Sequence, residues 1–491
     1  MRDLRYQNKF KWYLLANLNM SESGTILAPL DFEDLKAKGL VSPESTAGFR
    51  RIHKRRLNRS SDEEHRNISF DVSLESSVAF STIPDVLISR ETMIHIGLST
   101  EKTDELWQQW VNWPHDGPRR EVDPDDGGLQ VSFLDFVLGR VLHRSDAIGE
   151  NDVEWRVCLD ACGLAPATRD AIMDRHFTYL RQSNSCQYWV RDTIDMRYAG
   201  LQEIQRSSRG REMELRRRAS RPGGHPRDDG TSQGDIETSS GLSSTPTGQQ
   251  RRSASGLQQQ SMPGMASDIW GSASAIASRN APGYTTLFKG MDQGRISGLF
   301  DDAGALSNIG TLRSRAPSDF SATRSLFYFS PDVRVAEYYA SYAKRRSSSE
   351  SVVIVCLRIP NASIETLSEP DIRRLYWPDD AWKELVWRCR AGRSLPTRLR
   401  TYRDAILIIG TISRKPDAQY HALSSWEDIT ESYLLKMGVD GSGDTAVQYV
   451  FNGEDEGCEW LEENGARDIK VFPYPLRDFE SWIAANPVSH S

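Results

Sequence analysis

The feature that most constrains the fold is a long polar stretch, from about Arg206 to Asn280, in the middle of the 491-residue chain. It is rich in Ser, Gly, Gln, Pro and Arg and contains almost no large apolar side chains. Such a segment buries too little apolar surface to offset the conformational entropy that it would lose on ordering. The sequence therefore predicts a disordered linker over residues 206–280, with a folded part on either side of it. A chain of this length can hold two or three domains.

Residues 68–205 carry the spacing of amphipathic helices. In ETMIHIGLSTEKTDELWQQWVNWP, the residues Leu106, Trp110 and Trp113 recur three or four positions apart, after a capping candidate at Ser99. We predict an all-α domain here, because aromatic stripes at helical spacing usually form a core. The alternative is a peptide-binding groove, and in either case this helical domain is the expected contact for a protein substrate or partner.

The distribution of charge argues against nucleic acid as the main partner. The formal net charge is -7, so the chain has no overall basic footprint. Residues 1–67, predicted to be a partly irregular N-terminal segment, contain one basic run centred on Lys54-Arg55-Arg56. A nuclear-import or nucleic-acid patch is one interpretation of this run. Acidic residues follow it at once, which favours a solvated segment that neutralises its own charge.

Cysteine usage and hydropathy indicate an intracellular protein, cytoplasmic or nuclear. The six cysteines are scattered and form no CxxC pair, so we expect reduced thiols, no disulfide framework and no metal site. The apolar run from Trp12 to Leu18 is short and is interrupted by Asn17, which is untypical of a secretory signal. No run approaches the roughly 18 apolar residues of a membrane span. We therefore expect no contact with a membrane.

Residues 281–480 alternate between short β-branched runs and helical patterns, and residues 481–491 are predicted to be a tail. The strand candidates include SVVIVCLRIP, TYRDAILIIGTI, TAVQYVF and IKVFPYP, and DDAWKELVWRCR is a helix between two of them. This alternation predicts an α+β domain in which helices pack against a mixed sheet. The whole chain is thus expected to be multidomain, with an N-terminal all-α domain, a disordered linker and a C-terminal α+β domain.

The residues best suited to binding a ligand lie early in this C-terminal domain. Lys289 ends the strand TTLFKG and precedes Gly290, where a ligand could approach the backbone without meeting a side chain. Tyr328 lies in the strand LFYFS, and Tyr338 and Tyr339 lie in the helix that follows. Cationic, aromatic and small residues together suit a ligand with phosphates and a flat ring. In the alternative interpretation, the lysine is at the surface and the tyrosines are core residues.

These motifs resemble the ADP-ribosyltransferase superfamily, in particular its H-Y-E class, which includes the poly(ADP-ribose) polymerases. LFKG resembles the LxHG strand that opens their catalytic domain, and LFYFSPDVRVAEYYA is similar to their strand and helix with two tyrosines. TAVQYVF resembles the later strand that carries their catalytic glutamate. The resemblance covers Pro282 to about Pro475. It implies an ADP-ribosyltransferase-like mixed sheet, NAD as substrate, and transfer of ADP-ribose to a protein or another nucleophile.

The resemblance also implies a role for each matching residue. Lys289 stands where the family has the histidine that holds the ribose of NAD. Tyr328 and either Tyr338 or Tyr339 stand at the tyrosines that stack on the nicotinamide. Gln448 stands at the glutamate that stabilises the oxocarbenium-like transition state and orients the acceptor.

Three positions depart from the family pattern, namely Lys289, Gln448 and Leu326, which replaces a strand glycine. Glutamine can donate a hydrogen bond to a ribose hydroxyl, but it supplies no negative charge to a developing cation. Glu384, in WKELV, is the candidate for a replacement carboxylate if its helix reaches the cleft. In the alternative interpretation, Glu384 is an exposed or salt-bridged residue of its helix. The catalytic candidates are therefore Lys289, Tyr328, Gln448 and Glu384.

Two classes of function follow from these observations. The first is an ADP-ribosyltransferase-like enzyme whose helical domain chooses the substrate or restrains activity. The second is a non-catalytic module on the same fold, which binds a nucleotide, ADP-ribose or a protein and is tethered to a helical interaction domain.

Overall fold

The structure is a computed structural model of the 491-residue chain. It describes residues 24–42, 46–53, 80–114, 116–123, 127–142, 146–220, 270–301, 304–347, 352–438 and 441–488. The basic run centred on Lys54-Arg55-Arg56 and residues 221–269 of the predicted linker lie outside the described residues.

The N-terminal part, residues 24–220, is mainly helical. Its helices are α1 (Pro29–Ala37), α2 (Arg90–His95), α3 (Thr100–Val111), α4 (Phe133–Val141), α5 (Asp152–Ala161), α6 (Pro166–Ile172), α7 (Thr178–Arg181) and α8 (Cys186–Ala219). Two small sheets accompany them: β1 (Phe49–His53) pairs antiparallel with β2 (Phe80–Pro84), and β3 (Arg119–Arg120) pairs parallel with β4 (Gln130–Val131). Strands β2, β3 and β4 fall within residues 68–205, so the prediction of an all-α domain there was wrong. These strands are short, at two to five residues, and give little alternation in the sequence.

The aromatic stripe of α3 forms core, as the helical spacing predicts. Leu106 and Trp110 are buried, and the ring of Trp110 lies 5.2 Å from the rings of Phe133 and Phe136. The side chain of Ser99 accepts a hydrogen bond from the Lys102 amide and so caps the helix at its predicted start.

Helix α8 extends well into the stretch that was predicted to be a linker. It continues to Ala219, so the boundary at residue 206 was wrong. The buried Asp31 of α1 accepts hydrogen bonds from Ser208 at 2.5 Å and from Arg211 at 2.8 Å. Hydrogen bonds and ion pairs, rather than large apolar side chains, hold the polar end of α8 in place. A prediction from composition therefore did not recognise this end as helical.

The C-terminal part is an α+β arrangement of eight strands and eight helices in the described range 270–488. The strands are β5 (Tyr284–Asp292), β6 (Arg313–Ser314), β7 (Leu326–Phe329), β8 (Val352–Pro360), β9 (Ile372–Leu375), β10 (Leu407–Thr411), β11 (Val447–Phe451) and β12 (Ile469–Pro473). The helices are α9 (Ala273–Arg279), α10 (Val333–Arg346), α11 (Asn361–Glu365), α12 (Asp380–Arg390), α13 (Thr397–Arg403), α14 (Asp417–Ala422), α15 (Asp455–Asn464) and α16 (Leu476–Ala485). Residues 481–485 therefore belong to α16 and not to a tail, and residues 273–279 form a helix within the predicted linker.

These strands form two sheets that meet edge to edge. One sheet has the order β12-β8-β5, and the other has the order β6-β7-β11-β10-β9, in which only β10 and β9 are parallel. Phe288 in β5 and Ser330 after β7 exchange backbone hydrogen bonds of 2.8 and 2.9 Å, which joins the sheets. The prediction of a mixed sheet within an α+β part is confirmed.

Helix α10 packs against β5 and, on its other side, against the N-terminal part. Tyr342 donates a hydrogen bond to Ile172 O at 3.0 Å. Arg346 forms an ion pair of 2.7 Å with Asp192 of α8 and lies over the ring of Tyr342. The two parts thus share one buried cluster along α10, although the sequence suggested that they fold separately.

Among the helices of the described ranges, none combines the length and apolar character needed to cross a membrane.

Replacing Gly290 with alanine tests the contact between α10 and β5. A Cβ atom there would lie 2.1 Å from Ala336 O, so the helix and strand would have to separate. We expect the free energy of unfolding to fall by about 2–3 kcal/mol in urea titrations. The control is Gly210→Ala in α8, where a Cβ meets nothing within 4 Å. It should gain about 0.5–1 kcal/mol, because residue 210 lies in the interior of α8. A Gly290→Ala variant as stable as the wild type would contradict the packing described here.

Candidate functional site

The strands that carry the three quoted motifs are neighbours in the structure. The bridge between Phe288 and Ser330 places β5 next to β7, and the pairing of Tyr328 with Val450 places β7 next to β11. Because side chains alternate along a strand, Phe288, Tyr328 and Gln448 share one face of the joined sheets. We call this the α10 face, and we call the opposite face, on which α15 packs, the α15 face.

Tyr328 is held by a turn of the same chain. Its hydroxyl donates to Ser318 Oγ at 2.7 Å and accepts from the Phe320 amide at 3.4 Å. Burial raises the pKa of the Tyr328 hydroxyl, and the nearby Asp319 carboxylate raises it further. The hydroxyl is therefore a neutral donor whose hydrogen bond is already made within the chain.

Gln448 contacts the same turn. Its Nε2 donates to Asp319 Oδ2 at 2.9 Å and to Thr411 O at 3.3 Å. Asp319 also accepts from the Ser413 amide at 2.8 Å and from Ser413 Oγ at 2.6 Å, and Arg390 Nε lies 3.9 Å away. The buried carboxylate of Asp319 thus occupies the position that Gln448 faces. We call Tyr328, Gln448 and the turn Ser318–Ser321 the Tyr328–Gln448 centre.

The turn is anchored by its phenylalanine as well as by hydrogen bonds. Phe320 is buried, and a Cβ atom at Gly410 would lie 2.4 Å from Leu375 O and 3.0 Å from Phe320 Cζ. The missing side chain at Gly410 therefore makes room for the neighbouring strand and for the ring. Sequence reasoning missed Asp319 and Phe320 because they lie in the polar spacer between two strands, where no periodicity marks them.

The two helix tyrosines point to different places. Tyr338 is buried, its ring lies 5.5 Å from that of Trp482, and its hydroxyl accepts from the Leu180 amide at 3.2 Å. Tyr339 packs against Val335 and Leu435, and also against the large cluster that contains Tyr338. Burial raises the pKa of both hydroxyl groups. Tyr338 is thus a contact with the N-terminal part and lies away from the Tyr328–Gln448 centre.

Lys289 and Gly290 also differ from their predicted roles. Lys289 extends from the α15 face, where Nζ donates to Leu312 O at 2.7 Å and to Ser314 Oγ at 3.0 Å. Gly290 is on the α10 face, but the space over its Cα is filled by the backbone of Ala336. The sequence predicted that a ligand approaches the backbone at Gly290. In the structure, helix α10 approaches it instead.

Glu384 is a buried, ion-paired helix residue. It accepts from Arg388 at 2.8 Å and also pairs with Arg398. Both of its carboxylate oxygens form ion pairs with these two arginines. This is the salt-bridged helix glutamate of the alternative interpretation. The described contacts do not link Glu384 to Gln448.

The N-terminal part covers the edge of the Tyr328–Gln448 centre. Tyr179 donates to Leu434 O at 2.6 Å, and the guanidinium carbon of Arg414 lies 3.6 Å from its ring centroid. Arg414, next to Ser413, also donates to the Tyr179 carbonyl at 3.0 Å. The segment that follows β10 is therefore held against the helical part.

A cavity of about 630 Å³ lies on the other side of α10, between α10, α16 and the loop after Met437. Its walls include aromatic and charged side chains, notably Trp270, Arg279, Glu337, Tyr338, Asp478 and Trp482. Of the predicted site residues, only Tyr338 borders it. No group of three or more His, Cys, Asp and Glu side chains in the described ranges is arranged to hold a metal ion.

Comparisons of the chain with protein-family models, with curated proteins and with solved structures found no match. The resemblance to the ADP-ribosyltransferases therefore rests on short sequence motifs alone.

The pH dependence of stability tests the environment of Lys289. Burial, with a smaller contribution from Arg295, lowers the pKa of Lys289 to about 7. Above that pH the folded chain binds fewer protons at this residue than the unfolded chain does, so stability rises as the pH is raised and falls as it is lowered towards 7.

We expect Lys289→Met to remove up to about 2 kcal/mol of the increase in unfolding free energy between pH 7 and pH 9. Replacing the surface residue Lys38 with methionine should leave the wild-type profile unchanged. Parallel profiles for wild type and Lys289→Met would show that Lys289 is hydrated in the folded chain.

Proposed function

We propose that this chain is an intracellular binding protein that keeps an ADP-ribosyltransferase-like fold without transferase activity. The observation that carries the proposal is the turn Ser318–Ser321. It makes hydrogen bonds to both Tyr328 and Gln448, the two residues with family-like motifs whose side chains lie close together. A dinucleotide would have to displace this turn before it could reach either side chain.

The likeness of fold is supported by the order of the strands. The three strands with family-like motifs are adjacent, although they are separated by long stretches of sequence. Adjacent strands are needed if residues from β5, β7 and β11 are to serve one site.

The absence of transferase activity follows from the chemistry of the centre. Gln448 offers no negative charge to an oxocarbenium-like transition state, and such electrostatic stabilisation is usually the largest contribution to catalysis. Lys289 extends from the opposite face, so it cannot hold a ribose above Tyr328. Glu384 is neutralised by two arginines.

Location inside the cell is supported by the thiols. All six cysteines are buried and none is in a disulfide. Free buried thiols are typical of proteins from reducing compartments.

One observation favours the enzyme as a second candidate. Asp319 supplies a carboxylate 2.9 Å from Gln448, so it could take over the charge that glutamine lacks. In that case the N-terminal part and the turn would restrain activity until both move.

Incubation of the full chain with NAD labelled in its adenylate group separates the two candidates. We expect neither release of nicotinamide nor transfer of label above a protein-free blank, because the centre is closed and lacks a free carboxylate. Release of nicotinamide that falls about 100-fold or more in Asp319→Asn would establish the enzyme instead. Glu384→Gln is the control, since its carboxylate lies outside the centre; activity lost only in that variant would contradict both candidates.

A further inference from the structure

One tyrosine of the N-terminal part is packed into the C-terminal part, beside the segment that follows β10. The Tyr179 hydroxyl donates to Leu434 O at 2.6 Å and accepts from the Lys436 amide at 3.3 Å. Its ring packs against the apolar cluster that includes Leu435. A Cβ atom at Gly441 would lie 2.5 Å from Tyr179 Cε2, so the absence of a side chain there makes room for the ring. The C-terminal part therefore encloses Tyr179 on more than one side.

Arg414 binds the same tyrosine from the C-terminal part. Its side chain is buried, and its guanidinium carbon lies 3.6 Å from the Tyr179 ring centroid. Arg414 Nε donates to the Tyr179 carbonyl at 3.0 Å, and Nη2 donates to Gln182 Oε1. Hydrogen bonds from a charged donor are roughly twice as strong as those between neutral groups. We call Tyr179, Gln182 and Arg414 the latch.

The latch is adjacent in sequence to the residue that holds the turn Ser318–Ser321. Ser413 directly precedes Arg414, and its amide and Oγ donate to the Asp319 carboxylate at 2.8 and 2.6 Å. The same carboxylate accepts from Gln448 Nε2 at 2.9 Å. Because consecutive Cα atoms are fixed about 3.8 Å apart, a displacement of Arg414 moves Ser413 with it. A continuous series of contacts thus runs from the N-terminal part to the turn.

The two segments that the latch contacts are also paired with each other. Ser413 and Leu434 form an antiparallel bridge, and the Arg414 amide donates to Tyr433 O at 2.8 Å. The Tyr179 hydroxyl binds Leu434 O, and the Tyr179 ring lies against the Arg414 guanidinium. The latch therefore fixes both segments of this pair against the helical part.

We propose that the latch is an autoinhibitory contact. While Tyr179 and Gln182 hold Arg414, the turn stays bonded to Tyr328 and Gln448; release of the latch frees the turn and opens the centre. The inference rests on the proposed function in one respect, namely that the turn closes the centre, and it adds the contact that controls this closure.

Hydrogen exchange of the full chain, measured by mass spectrometry without any ligand, tests the latch. Peptides that contain residues 318–321 report opening of the turn, and peptides of β8 report global unfolding. In the wild type, the turn should exchange faster than β8, because release of the latch is a smaller event than global unfolding. Arg414→Met keeps the aliphatic stem and removes the charged donors. It should speed exchange of the turn by about tenfold or more, as expected for loss of a charged hydrogen bond.

The matched control is Arg345→Met, at the same interface between the two parts. Arg345 of α10 forms an ion pair of 2.6 Å with Asp174 and has no described contact with the turn. Release of the latch leaves this ion pair in place, so the control variant should exchange at the turn as the wild type does.

A second variant keeps the test decisive if Arg414→Met fails to fold. Tyr179→Phe retains the ring and loses only the hydroxyl, together with its hydrogen bond to Leu434 O. It should speed exchange of the turn about threefold, as expected for loss of one neutral hydrogen bond. Circular dichroism of each variant shows whether it has folded.

Two results would overturn the proposal. One is unchanged exchange of the turn in every folded latch variant. The other is equal exchange of the turn and β8 in the wild type and in Arg345→Met, which would show that the turn opens only by global unfolding.

Failure of the latch and failure of the proposed function can be told apart. A turn that stays equally protected in Arg414→Met contradicts the latch and leaves the closed centre in place. Release of nicotinamide from NAD by Arg414→Met, where the wild type releases none, supports the latch and contradicts the absence of transferase activity.

Discussion

The contact on which the rest of the structure depends is the close approach of helix α10 to strand β5. The carbonyl oxygen of Ala336 lies where a Cβ atom of residue 290 would be, so the helix can lie on the strand only because this residue is glycine. The opposite side of α10 then meets the N-terminal part through Tyr338, Tyr342 and Arg346. One helix therefore belongs to the cores of both parts and joins them within the described residues.

This packing also decides what the aromatic residues of α10 can do. Successive residues on a helix point about 100° apart, so Tyr338 and Tyr339 lie in different environments. Tyr338 stacks with Trp482 and borders the cavity, whereas Tyr339 packs with Val335 and Leu435. Only one of the two helix tyrosines therefore borders the cavity.

Much of the fold could be predicted from the sequence, because β-branched runs and helical spacing are local signals. The strands LFYFS, VVIVCLRIP, LIIGT and VQYVF, and the cap at Ser99, are found where these signals placed them. The end of α8 could not be predicted in this way. That end is held by Asp31, a residue about 180 positions away, through Ser208 and Arg211.

The candidate site was predictable only in part, for a similar reason. The motifs predicted that Tyr328 and Gln448 each lie in a strand, and the structure pairs these strands so that the two side chains share a face. It could not show that Lys289 would extend from the other face, or that Asp319 would bind Gln448 across 129 positions of sequence. Strand pairing and turn contacts of this kind depend on the tertiary fold and leave no periodic trace in the sequence.

The chain's own turn, Ser318–Ser321, closes the Tyr328–Gln448 centre. Hydrogen exchange measured by mass spectrometry tests it directly, because the Ser413 amide donates to Asp319 and the Phe320 amide donates to Tyr328. The account predicts slow exchange in the peptides that contain these two amides, unchanged by millimolar NAD. Faster exchange of both amides on addition of NAD would show that the dinucleotide displaces the turn, and would contradict the account.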